Sequence, residues 1–563
     1  MLRHILLFNA FCVFLAASFT FVVKPGPIYP PTKGAIWPNP YEQTESDTYF
    51  KLNPDTFTIT EKGKTCDILK AAIERYRNIL KKTYLIADKH SKRLMNTNNP
   101  NDVDTDVNYK GTLQELQINL AAPCETYPHL GMDERYSLDV AAVSTLNSDS
   151  IWGVLRGLES FAQLFYMSDG YKNVLINTTQ IVDYPKYTHR GLLIDTSRHY
   201  LSVSTILKTL DALEMNKMNV LHWHIVDDQS FPYQSEVFPQ LSQAAYDPTM
   251  IYTAADISHI VNYAKERGIR VLPEFDVPGH TSSWGVAYPS ILTTCYSSGE
   301  KIGLGPMDPT NNMTYKVISD LFGELQDRFP DQYIHVGGDE VELDCWSSNA
   351  AITKFMAEHN MTHTSELHSF FMGNVIPLLG DRSKPIVWQE VFDEEVSLPN
   401  GTIVQVWKNT EAYEMQSILD AGHKVIYSAS WYLDHIRGGG DWDKYYEVDP
   451  REIVGGYVPE SKLSDILGGE ACMWAEVVDD NNMISRVWPR TSAVAEALWS
   501  GFPSNTRRLS SQNVTRSFRV RSHLAGEQKH KVSCRLEEHA CRMNRRGIHA
   551  QPPNGPGFCI TGN

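Results

Sequence analysis

Several signatures of common chemistries are missing from this 563-residue chain. It has no Gly-x-Ser-x-Gly elbow and no Cys/His nucleophile pair where polar residues gather, which removes the usual acyl-transfer arrangements. No glycine-rich dinucleotide fingerprint follows a strand, so no nucleotide cofactor is expected. None of the nine cysteines stands at zinc-site spacing. Positive charge is in deficit: 51 Lys+Arg against 67 Asp+Glu leave −16, which argues against nucleic-acid or anionic-membrane partners. Long polar low-complexity tracts are absent, and beyond the N-terminus no apolar run approaches membrane-spanning length.

What is present is a folded, aromatic-rich protein too long for one ordinary domain. Twelve Trp and 27 Tyr supply flat faces suited to sugar rings, although most such residues in a large protein fill the core. The N-terminal run MLRHILLFNAFCVFLAASFTFVV has the shape of a secretory signal peptide, residues 1–22, with an uncleaved anchor as the alternative. Five N-x-S/T sequons follow, at Asn177, Asn312, Asn360, Asn400 and Asn513, and agree with that route. Once Cys12 leaves with the signal, eight cysteines remain for an oxidising compartment, where they read as structural disulfides of undetermined pairing.

The chain changes rhythm near Tyr184-Pro185. Before it, a Pro-rich lead-in (24–50) precedes a compact α/β domain, the whole unit spanning 23–185. After it, short apolar runs alternate with helical segments: 191–197, 220–226, 269–275, 333–340, 385–391, 403–408, 424–432 and 466–474. The helical segments include 202–217, 254–268, 351–359 and a last one at 484–499. Eight strands, most followed by a helix, predict a (β/α)8 TIM barrel over 186–563, with a doubly wound open sheet as the alternative. Catalytic groups in such barrels sit at the C-terminal strand ends. Polar residues fall there in all eight cases: Asp195/Arg198, Asp227/Asp228, Asp276/His280, Asp339/Glu340, Trp388/Glu390, Trp407, Tyr432/Asp434 and Trp474/Glu476. Carboxylates among aromatic walls suit glycoside hydrolysis, where a proton must reach a leaving oxygen while positive charge builds on the sugar. A Glu enclosed by Trp and beside a second carboxylate is expected to keep its proton.

The stretches HRGLLIDTSRHYL, HWHIVDDQSFPYQS, EFDVPGHTSSW, IHVGGDEV, VWQEVFD, WYLD and GGEACMWAE together resemble family 20 β-N-acetylhexosaminidases of the animal lysosomal and secreted branch. The likeness runs from about residue 30 to 500 and resumes at RLEEHACRMNRRGIHAQPPNGPGFC. It implies exo-acting removal of terminal β-linked N-acetylglucosamine or N-acetylgalactosamine from glycans, with retention. The substrate's own 2-acetamido group would attack the anomeric carbon, and no cofactor or metal would be needed.

By motif match, Glu340 is the general acid and later the base, and Asp339 stabilises the acetamido group. Tyr432 aligns its oxygen, while Asp227 and His280 form a dyad that tunes the acid. Arg198, Asp434 and Glu476 bind sugar hydroxyls, and Trp388, Trp407 and Trp474 form walls. The resemblance also implies disulfides Cys66–Cys124, Cys295–Cys345 and Cys541–Cys559, a buried Cys472 thiol, and a homodimer in the lysosome or outside the cell. Chitooligosaccharides, N-glycans and glycolipids all stay open as sources of the terminal sugar.

Two features depart from the family. Asp434-His435 replaces the Asn-Arg pair that goes with anionic sugars, so neutral terminal sugars are expected. The basic stretch 505–534 stands where a short link is usual and reads as translated non-coding sequence, a surface loop being the alternative. Two other functions compete: a glycan-binding protein that has lost catalysis, and a metal hydrolase using His222, His224 and Asp227. The intact Asp339, Glu340 and Tyr432 speak against the first. The missing companion Lys or later His speaks against the second, and His222 and His224 read better as core residues.

Overall fold

The computed structural model describes residues 29–94, 106–408, 411–435, 440–501, 526–554 and 559. The expected signal peptide, Asn513 and residues 505–525 of the basic stretch lie outside these.

An eight-stranded sheet occupies the first part of the chain, running in space as 58–63, 115–120, 143–148, 136–139, 174–183, 42–51 and 109–112, with 166–167 paired to 174–183. Alternation explains its inner strands: Glu115–Leu120 buries Leu116, Ile118 and Leu120 while the residues between them are half-exposed. Helices Asp67–Leu94 and Ile151–Gln163 share its core. The second starts at Ser150, whose side chain accepts from Trp152 N, and every one of its residues is buried. Its Arg156 donates to Glu134 and to the carbonyls of Arg267 and Gly268 in the barrel. Buried Lys217 reaches back to Asp183 at 2.7 Å, so the two units share satisfied polar contacts rather than a flexible linker.

Part of the lead-in belongs to the sheet. Glu42–Lys51 is a strand, polar because most of its side chains face solvent, and its antiparallel pairing with Val174–Asp183 holds it in place. Trp37 is fully buried and donates to Ser492 O, far along the chain.

The second unit is a closed barrel of eight parallel strands in sequence order: His189–Asp195, Val220–His224, Arg270–Glu274, Tyr333–His335, Lys384–Trp388, Ile403–Val406, Lys424–Tyr427 and Ile466–Met473. All eight positions of the last strand are buried, as both barrel faces require. The fifth run ends early: Gln389–Asp393 is a short helix, so Glu390 belongs to a helical turn. The expected last helix is two, Met483–Val487 and Arg490–Trp499, separated at Trp488-Pro489, because Pro489 has no N–H to continue the first.

A final helix, Gly526–Arg546, begins inside the basic stretch. Its Val532, Leu536, Ala540 and Met543 join the barrel core, and Arg535 pairs with buried Glu496. Residues 526–534 are therefore part of a docked helix rather than an excluded insert. Disulfides Cys66–Cys124, Cys295–Cys345 and Cys541–Cys559 are formed, Cys472 is a buried free thiol, and Cys534 is free and half-buried. Among the described sequons Asn312, Asn360 and Asn400 are exposed, whereas Asn177 is half-buried and accepts from Tyr166 Oη. No described helix is long and apolar enough to cross a membrane.

Candidate active site

The C-terminal mouth of the barrel holds a cavity of about 380 Å³. Its lining brings together Arg198, Asp227, His280, Asp339, Glu340 and Trp407 from five different strand ends, and Tyr432, Asp434, Trp474 and Glu476 from the last two. Ten of the eleven residues singled out in the sequence therefore meet in one place. The exception is Trp388, which is only 1% exposed and lies beneath the floor. There it donates to Glu274 at 2.8 Å and packs near Trp474 with 6.1 Å between ring centroids. It fills the barrel mouth from below rather than forming a wall.

Strand four ends early, and Gly337 and Gly338 carry the chain to the two carboxylates with φ of 68° and 98°. A Cβ on Gly337 would overlap the Asp276 carboxylate. One on Gly338 would overlap the Val391 side chain, so the paired glycines are steric requirements of the site. Glu340 and His280 are themselves left-handed, with φ of 50° and 56°, a conformation uncommon for residues with a Cβ.

The adjacent acids diverge. Asp339 is buried against the Asp276 carboxyl, and no N–H of the protein reaches its Oδ1. Glu340 projects into the opening with 59% of its side chain exposed. The expectation that Glu340 is enclosed by Trp is thus corrected: the left-handed turn points it outward, and Asp339 is the enclosed member. His280 Nε2 lies 3.7 Å from both Asp339 Oδ2 and Glu340 Oε2. Its Nδ1 lies 3.2 Å from Asp227 Oδ1. Burial disfavours the imidazolium, but Asp227, Asp276 and Asp339 outweigh it and raise His280 to about 11. Burial likewise opposes ionisation of Asp227, yet His224 and His280 hold it below the usual carboxylate range.

Asp276 was visible as a polar strand-end residue without an assigned role. It is buried against Asp339 and accepts from Gly338 N at 2.7 Å. Burial and the Asp339 charge push its carboxyl well above the usual range.

The other side of the cavity is built from strand one. Asp195 Oδ1 accepts from Arg198 N at 3.1 Å, and Asp195 Oδ2 pairs with Arg198 Nη1 at 3.0 Å. Arg198 Nη2 pairs with Asp227 at 2.9 Å, and the guanidinium lies 5.1 Å from the Trp474 ring centre. Burial works against this cation, but Asp195 and Asp227 raise its pKa. Trp407 and Tyr432 stack at 6.0 Å, and Trp407 Nε1 donates to Glu390 at 3.0 Å. Tyr432 is bridged to Cys472 on the last strand, which fixes the loop after strand seven. Burial, Cys472 and Asp339 keep its phenol protonated, a donor. Lys408, which lines the cavity and pairs with Glu390 at 2.8 Å, went unnoticed in the sequence; its only signal is its place next to Trp407.

His222 and His224 are buried, and each has both ring nitrogens facing carboxylates: Glu470 and Glu274 for His222, Glu274 and Asp227 for His224. Burial opposes their charge, yet these acids raise them to about 9 and about 10. The two rings and these acids form an ion-paired layer beneath the cavity.

Residues 187–502 match glycosyl hydrolase family 20, catalytic domain, and residues 36–164 match a domain described as beta-acetyl hexosaminidase like. The chain is 42% identical over 550 residues to human beta-hexosaminidase subunit beta, covering 95% of this chain and 90% of that one. It is 41% identical over 541 residues to mouse beta-hexosaminidase subunit alpha, covering 93% and 95%. The Flavobacterium johnsoniae chitobiase structure matches with a TM-score of 0.74 at 30% identity, over 92% of this chain and 74% of that one. A Streptomyces plicatus N-acetyl-beta-hexosaminidase structure shares the fold at a TM-score of 0.68 and 21% identity, covering 94% and 98%.

Proposed function

Since the chain belongs to glycosyl hydrolase family 20, we propose that it is an exo-acting β-N-acetylhexosaminidase working by substrate-assisted, retaining catalysis. The observation that carries this reading is the contrast between the adjacent acids. Asp339 is buried with no N–H of the protein at its Oδ1, while Glu340 is exposed at the same cavity's mouth. A buried carboxylate that no protein N–H fills suits an amide N–H and the charge that grows on it. A carboxyl at the opening suits a leaving group that extends into solvent.

In the first step Glu340 gives its proton to the glycosidic oxygen as the C1–O bond breaks. The acetamido carbonyl oxygen forms the new bond to C1, giving an oxazolinium ion whose N–H Asp339 accepts. The Tyr432 hydroxyl donates to the carbonyl oxygen to align it. Arg198, Asp434 and Glu476 hold the sugar hydroxyls, with Trp407 and Trp474 against its faces. In the second step the Glu340 carboxylate takes a proton from water as water bonds to C1 and the C1–O(acetamido) bond breaks. Two inversions at C1 give retention. Cationic His280, between Asp227 and the two acids, holds Asp339 and Glu340 in register. An intact Glu340, Asp339 and Tyr432 are superfluous in a protein that only binds glycans.

The three disulfides support a secretory-pathway protein. Turnover of an aryl N-acetyl-β-glucosaminide, followed by NMR of the first-formed sugar, tests the function. The β-anomer is expected first, with activity lost in Glu340→Gln. An α-anomer formed first, or no turnover by folded protein, contradicts it.

A further inference from the structure

Below the residues used in the reaction lies a layer of fully buried ionisable groups inside the barrel: His189, His222, His224, His335, Glu274 and Glu470. Glu274, the last residue of the third strand, is its hub. Its Oε2 lies 2.7 Å from His224 Nδ1 and 3.0 Å from His222 Nε2. Its Oε1 lies 2.8 Å from Trp388 Nε1 and 3.2 Å from His335 Nδ1. Two of these contacts are hydrogen bonds, donated by His224 Nδ1 and Trp388 Nε1 from different strands, while the His222 and His335 rings face the same carboxylate.

Two arms leave this hub. One rises through His224 Nε2 to Asp227 Oδ2 at 2.7 Å, then from Asp227 Oδ1 to His280 at 3.2 Å, and so to Asp339 and Glu340. The other holds the Trp388 indole under Trp474, which lines the cavity. We propose that Glu274 is a positioning residue for the hydrolysis, one buried carboxylate that sets both the Asp227–His280 dyad and the aromatic floor. This role rests on the reading of Glu340 as the acid.

The charge matters as well as the shape. Glu274 is buried, which opposes ionisation, but His335, His224 and His222 hold it ionised. With carboxylates at both ring nitrogens, His224 donates from each and stays a cation. It occupies Asp227 Oδ2 together with Arg198 and so leaves Oδ1 for His280. The groups facing Glu274 are His222 and His224 on strand two, His335 on strand four and the Trp388 indole on strand five; Glu470 on strand eight acts through His222. A neutral amide at 274 fits the same space but removes the counter-ion, so His224 sheds a proton within the working pH range.

The test compares the full-length wild type with Glu274→Gln, Glu274→Asp, His224→Gln and Trp388→Phe on an aryl N-acetyl-β-glucosaminide from pH 4 to 8, with melting temperatures recorded. Glu274→Gln is expected to lower kcat by about tenfold to a hundredfold with KM changed less than about threefold, and to add an ionisation to the kcat profile between about pH 5 and 7. Glu274→Asp, which keeps the charge, retains the wild-type profile shape. Trp388→Phe raises KM without altering the profile. A folded Glu274→Gln enzyme with wild-type kcat and profile overturns the proposal, as does a loss of kcat with an unchanged profile. If Glu274→Gln does not fold, His224→Gln decides the matter: an altered profile supports the role and a wild-type one refutes it. Wild-type turnover abolished by Glu340→Gln shows that the underlying reading stands whatever the Glu274 variants do; absence of wild-type turnover removes that reading itself.

Discussion

His280 Nε2 stands 3.7 Å from Glu340 Oε2 and at the same distance from Asp339 Oδ2, so one imidazolium serves two adjacent acids of unlike exposure. Because His280 is raised to about 11, its contribution to stability is complete below its unfolded pKa of about 6.5 and is lost as pH rises through 11. Asp227 has the opposite sign: its depressed pKa adds stability above about 3.9 in the unfolded chain, lost as pH falls. The stability gap between wild type and His280→Gln, measured by denaturant unfolding, should therefore be widest between about pH 4 and 6.5 and close toward pH 11. A gap that widens above pH 7 would contradict these assignments.

Asp434 is expected to govern tolerance of charge at the far side of the sugar. It is largely buried, 3.8 Å from exposed His435, and burial and Glu476 push its carboxyl upward against the pull of His435. A sulfate on the sugar's primary hydroxyl should lower kcat/KM by about tenfold to a hundredfold at pH 7, from Coulomb repulsion at an effective dielectric near 20. The penalty should shrink as pH falls and the raised Asp434 carboxyl takes up its proton, and Asp434→Asn should remove most of it. Equal turnover of sulfated and neutral substrates at pH 7 would refute this role.

The Cys295–Cys345 disulfide closes a loop of 50 residues that includes the strand leading to both acids. Gly305 packs so closely that a Cβ there would meet both sulfurs, which ties the 292–307 hairpin to the segment after Glu340. Replacing both cysteines by Ser should cost up to about 4 kcal/mol by loop-closure entropy and lower kcat more than the Cys66–Cys124 pair does when removed. Paired unfolding and kinetic measurements on the two double variants test it. Equal kinetic effects would mean that the bridge is structural only.

The barrel was legible because each inward run is apolar and each ends in polar residues, the signature of strand ends around a shared mouth. Ten site residues followed from that pattern together with the family motifs. What was hidden follows from geometry that sequence does not encode locally. Trp388 reads like Trp407 and Trp474, yet it sits one layer deeper, because strand five ends where a helical turn starts at Gln389. Glu340 reads as enclosed, yet a left-handed residue after two glycines turns it outward. Glu274 in LPEF carries no sign that His224 and Trp388, from two other strands, both donate to it. The strand Glu42–Lys51 is too polar for pattern reading, and only its pairing with Val174–Asp183 makes it a strand.

In the proposed mechanism the acetamido group of the substrate is the nucleophile, held by Asp339 and Tyr432 while Glu340 supplies the proton. The most direct measurement is inhibition of aryl N-acetyl-β-glucosaminide hydrolysis by a thiazoline mimic of the oxazolinium ion, in wild type and Asp339→Asn. The account predicts competitive inhibition at least about a hundredfold tighter than KM in the wild type, as for an analogue of a charged intermediate, and largely lost in the variant. Inhibition no tighter than KM, or unchanged in Asp339→Asn, would contradict it.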